Sequence, residues 1–161
     1  MEELVFKGPL NSLSFGNVSV NFLRALKDLG KQVSLFPIGE KGDLSAFDKL
    51  DEELKEWIQN SVHSRYKTVS PSLLTLQMWH INGSENRITS KQTLFTFYEL
   101  DSPTETEINL VNLQNKVIFS SSAAASHFKS KGCNNAYHAP LGFDPDLHKT
   151  GKKYLEDRKS T

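Results

Sequence analysis

Two rhythms of apolar residues alternate along this chain. Short runs rich in β-branched and aromatic residues read as buried strands: Leu4 to Phe6, Gln32 to Ile38, Leu73 to Trp79, Lys91 to Tyr98, Lys116 to Phe119 and Ala136 to Leu141. Helical spacing fills the gaps between them. Val18, Phe22, Ala25, Leu26 and Leu29 form one stripe, in a helix expected to start near Asn17 and close at Gly30. Phe47, Leu50, Leu54, Trp57 and Ile58 form a second, behind a cap at Asp43. His63 to Ser70 is polar and ends at Pro71, so it reads as a loop. Ser102, Pro103 and Glu105 give a helix-start signal ahead of Ile108, Leu110 and Val111. Ala123 to Lys131 follows the Ser120–Ser122 turn as a last helix. The alternation predicts an α/β fold with a doubly wound parallel sheet. Residues 1–148 form one domain in this reading, and 149–161 are a charged tail or the start of a linker.

Composition narrows the partners. Nineteen basic and nineteen acidic residues cancel, so no bulk charge draws the chain to nucleic acid or to an anionic membrane. Cys133 is the sole cysteine, which excludes an internal disulfide and a zinc site built from several thiolates. The acidic start, MEELVFK, lacks a signal peptide's basic residues, and no apolar run nears the roughly 20 residues of a membrane span. The expectation is a cytoplasmic protein, in which the acceptor patterns at Asn17 and Asn82 are chance matches to a glycosylation site.

Candidate chemistry gathers at predicted strand ends, where open parallel sheets bind ligands. The loop from Gly8 to Gly16 leads into a helix, whose free N–H groups suit phosphate or a sugar hydroxyl. A plain turn into a capped helix explains it equally well. His80 ends a strand and can act as a general base, or is simply exposed. Glu99 and Asp101 can hold sugar hydroxyls or share acid–base work as a catalytic pair. Alternatively, one of them merely favours the dipole of the following helix. A hydrolase built on this pair would need a set carboxylate separation. Ser121, within Ser120–Ser122, can donate a hydroxyl or cap the next helix. The D-x-D pattern at Asp144 and Asp146 reads as a turn in a linker, and no metal site emerges.

The series FYELDSP (97–103), VIFSSS (117–122) and PLGFD (140–144), with GPLNSLSFGN (8–17) at the front, resembles the N-terminal domain of a GT-B glycosyltransferase of the group 1 (family 4-like) sugar transferases. The resemblance implies a Rossmann-like domain supplying the acceptor side of a sugar-transfer site. The co-substrate would be a nucleotide-sugar and no metal would be needed. The acceptor would be a carbohydrate or a glycosylated molecule. By the same resemblance, Gly8, Phe15, Gly16 and Asn17 face the donor diphosphate. Glu99, ahead of Asp101, lies near the acceptor or the transferred sugar. The donor-binding domain would come in cis or in trans, so the chain alone would transfer nothing and would self-associate through its exposed cleft face. The alternative is a stand-alone α/β module that binds a nucleotide, a sugar or a protein.

Overall fold

Residues 3–39, 44 and 51–142 are described by the structure, a computed structural model. The strand-forming runs become β1 (Glu3–Pro9), β2 (Gln32–Ile38), β3 (Leu74–Met78), β4 (Lys91–Thr96), β5 (Lys116–Phe119) and β6 (Ala136–His138). They pair side by side, all parallel, in the order β2-β1-β3-β4-β5-β6. The fold is therefore α/β and Rossmann-like, as the alternation predicts. Strand order reverses between β1 and β3, the place where such sheets open a crevice at their carboxyl edge.

Among the described residues four helices cover this sheet: α1 (Ser14–Asp28), α2 (Glu52–Thr68), α3 (Glu105–Leu113) and α4 (Ser122–Ser130). Because side chains alternate across a strand, the two faces carry separate cores. Phe6, Leu35, Met78 and Phe95 meet Val20 and Leu23 of α1, with Leu54 and Ile58 of α2 alongside. On the other face Leu94, Val117, Phe119 and Ala136 meet Val111 of α3 and Ala124 and Phe128 of α4. Phe119 and Phe128 stack with centroids 4.7 Å apart. Burying a side chain of this size stabilises the fold by roughly 1.5–3 kcal/mol.

Several expected boundaries move. Helix α1 starts at Ser14, not near Asn17, and its N-cap Leu13 makes no side-chain cap bond. Helix α2 runs through Thr68, so the polar stretch 63–70 is mostly helix rather than loop. Tertiary contacts carry it there in place of an apolar stripe. Thr68 Oγ1 pairs with Ser34 Oγ at 2.6 Å, and the Arg65 guanidinium lies over Tyr66 and Phe36. Asp51 caps α2 by accepting from Leu54 N, while Asp43, Phe47 and Leu50 lie outside the described residues. The third helix is capped two residues late. Thr104 and Glu107 make the capping box, not Ser102 and Glu105. Strand β6 ends at His138, short of Leu141. Gly30 closes its helix as expected, and Gly132 closes α4 in the same way, each with positive φ. The 149–161 tail lies outside the described residues, as do Asp144 and Asp146.

Candidate functional site

The carboxyl ends of β3 and β4 open into a cleft of about 620 Å³. Three segments build it. The first turn of α1 brings Ser14 and Phe15, the exit of β3 brings His80, Ile81 and Asn82, and the exit of β4 brings Phe97 to Leu100. Glu107, from the start of α3, closes one side. Three residues singled out from sequence thus come together here: Phe15, His80 and Glu99.

Aromatic rings form the floor. Phe15 stacks on Phe97 with centroids 4.2 Å apart and planes 16° from parallel. The His80 imidazole meets the edge of Phe15 at 4.7 Å, and Trp79 lies 5.2 Å from His80. Phe15 is buried and Phe97 half-buried, whereas His80 and Glu99 are exposed. The floor is apolar and the reactive groups stand at its rim, as in most small-molecule sites.

One wall is a carboxylate that sequence reasoning missed. Glu107 is only 8% exposed. Three donors converge on its Oε2: Thr104 N at 2.8 Å, Thr104 Oγ1 at 2.9 Å and the Tyr98 hydroxyl at 3.2 Å. Burial, then the neighbouring Glu107 charge and hydrogen bond, push the Tyr98 phenol up to about 12. The available signal was the T-x-x-E pattern at 104–107, which fits a capping box as well as the Ser102 pattern does.

The remaining candidates do different work. Gly8 is buried within β1 rather than in a loop. A Cβ there would meet Ser19 Oγ at 2.8 Å and Phe6 Cε1 at 2.9 Å. Gly16 lies inside α1, where a Cβ would sit 2.1 Å from the Asn11 carbonyl oxygen. Both glycines are needed for close packing, whatever else they do. Asn17 Nδ2 donates to the Ser12 carbonyl at 3.0 Å and so braces the loop. Ser121 is the N-cap of α4, accepting from Ala124 N. Asp101 is exposed and is not among the residues that line the cleft.

The cleft's charge is one-sided. Glu99 and Glu107 line it, and no lysine or arginine stands among the described residues that do. Lys7 of β1 spends its ammonium on the Asn86 carbonyl instead, and burial pulls its pKa down. Cys133 is buried, and burial pushes its thiol up, so it is not poised as a nucleophile. Among the described residues no cluster of histidine, cysteine and carboxylate groups could hold a metal ion, and no helix is long and apolar enough to cross a membrane.

Fold and site together define an α/β protein with a ligand-sized cleft at the carboxyl edge of its sheet. Comparisons with protein families, with curated proteins and with solved structures give no match to this chain.

Proposed function

We propose that this domain supplies the acceptor side of a sugar-transfer site that uses a nucleotide-sugar donor. The observation that carries the reading is the juxtaposition of His80 and Glu99 over the Phe15–Phe97 floor. An aromatic face stacks on the C–H face of a pyranose, and a carboxylate accepts from its hydroxyls. The His80 imidazole would take the proton of the attacking hydroxyl as the new glycosidic bond forms at the anomeric carbon and the bond from that carbon to the donor's diphosphate breaks, the nucleoside diphosphate leaving with the electron pair. That no lysine or arginine stands among the described residues lining the cleft fits an acceptor subsite, with the donor diphosphate held by another domain in cis or in trans.

Exposed leucines at the same edge supply a surface for that second domain. Leu13, Leu100 and Leu141 are 70%, 61% and 47% exposed. A stand-alone binding module is the second reading. It is favoured by the two apolar cores that the domain already completes on its own sheet. Size-exclusion chromatography separates the two: a half-site self-associates through the leucine rim, and a module stays monomeric.

The primary test has two parts. Mono- and disaccharides titrated into labelled protein should shift the amides of 97–100. The isolated chain should give no turnover from nucleotide-sugars. Absence of any saccharide binding would remove the proposal, and robust turnover by the chain alone would show that the site is complete.

A further inference from the structure

The passage from β3 to β4 is made without a helix. Residues 79–90 run back from the carboxyl edge of the sheet to its amino edge as an irregular strap, with Ile81, Ser84 and Thr89 buried. A crossover helix serves its own backbone groups, whereas a buried irregular segment must find partners elsewhere. Side chains of β4, β1 and the end of α3 supply them. Gln92 of β4 donates to the Ser84 carbonyl at 2.7 Å and to Gln114 Oε1 at 2.9 Å. Gln114, the C-cap of α3, donates to Ser84 Oγ at 3.1 Å. Both glutamines are buried. From the strap itself, Arg87 donates to Asn115 Oδ1 at 2.6 Å, and the Asn86 carbonyl accepts from Lys7 of β1.

The strap begins with the residues that wall the cleft, His80, Ile81 and Asn82. A turn joins this wall to the buried amides, because Ser84 N donates to the Ile81 carbonyl at 3.1 Å. Resting on the cleft proposed above as the saccharide site, we infer that Gln114, together with Gln92, is a positioning residue for the His80–Asn82 wall. The amide pair fixes Ser84, Ser84 closes the turn on Ile81, and the turn sets where the His80 imidazole stands over the Phe15–Phe97 floor. The rival account is that packing of the buried Ile81 fixes the wall and the amides add stability alone.

Gln114→Met keeps the length of the side chain and removes its bonds to Ser84 and Gln92. Native-state hydrogen exchange and amide shifts of the labelled protein separate the two accounts. Positioning predicts that the amides of 81–86 exchange about tenfold faster than in the parent, beyond any change in the amides of β1 and β5, and that His80 and Asn82 shift. Saccharide affinity should fall by about tenfold as well. Ser84→Ala keeps the bonds to the Ser84 carbonyl, so it should move the same signals by less, and it serves if the Gln114 variant does not fold. Ser34→Ala removes the Ser34–Thr68 contact between β2 and α2 and should leave His80 and Asn82 unmoved. If the amides of 81–86 change only by the factor seen across the sheet, with His80 and Asn82 unshifted, Ile81 packing holds the wall and the inference is overturned. Full saccharide affinity alongside fast exchange at 81–86 also overturns it. Failure of the parent to bind any saccharide removes the carbohydrate reading, and exchange and shifts then decide the role of Gln114 by themselves.

Discussion

Two β–α connections meet at the carboxyl edge of this sheet, and they are built in opposite ways. The first, from β1 into α1, is flanked by the glycines that look like a phosphate loop. It is packed solid: Gly8 and Gly16 lie where a single added methyl would strike Ser19, Phe6 or the Asn11 backbone. The second, from β4 into α3, has no glycine. It leaves an open, acidic cleft with an aromatic floor. A glycine next to a β–α turn thus reports close approach of chain to chain as readily as chain to ligand. The sharper signals of a site here are an exposed carboxylate and a buried one facing the same cavity.

The largest way to break this comparison is Gly16→Ala. The obstacle at 2.1 Å is backbone, so the loop or the helix must move. The expected loss is about 2–3 kcal/mol, read from the urea midpoint. Gly8→Ala should cost somewhat less, about 1–2 kcal/mol, because its neighbours are side chains. If either variant were as stable as the parent, the first connection would not be packed as described.

The second connection should respond more gently. Thr104→Ala removes the cap from α3 and should cost about 1 kcal/mol in the same denaturation experiment. Tyr98 gives a pH test. Its phenol titrates near 12 in the fold, above the ordinary value of about 10, so the native state holds that proton more tightly. That contribution is complete below pH about 10 and is lost as pH rises through about 12. The parent should therefore lose more stability than Tyr98→Phe over that window. Equal losses would mean that Glu107 and burial do not hold the proton. Smallest of all, Glu99→Gln should leave stability within about 0.5 kcal/mol, since Glu99 is exposed, while it weakens saccharide binding.

The sheet was legible because a parallel strand buried on both faces writes a dense apolar run. Gln32–Ile38 and Lys116–Phe119 match their strands residue for residue. The last turns of α2 were not legible. They are held by Thr68 against Ser34 and by Arg65 over Phe36, contacts that bring together residues far apart in the chain. The irregular stretch after β3 was opaque for the same reason. Its Ser84 is pinned by Gln92 and Gln114, two buried amides whose partners no local pattern announces. In the site, His80 and Glu99 were reachable because strand ends can be located from sequence, whereas Phe15, in the first turn of α1, entered only through the family resemblance. Glu107 was hidden because a helix-capping glutamate and a cleft carboxylate are the same residue type in the same motif.

The most direct measurement is an amide-shift titration of the labelled chain with a panel of mono- and disaccharides. The account predicts saturable shifts centred on Phe15, His80, Phe97, Glu99 and Glu107, with Gly8 unmoved. Shifts centred instead on Gly8, or no saturable shifts with any saccharide, would contradict it.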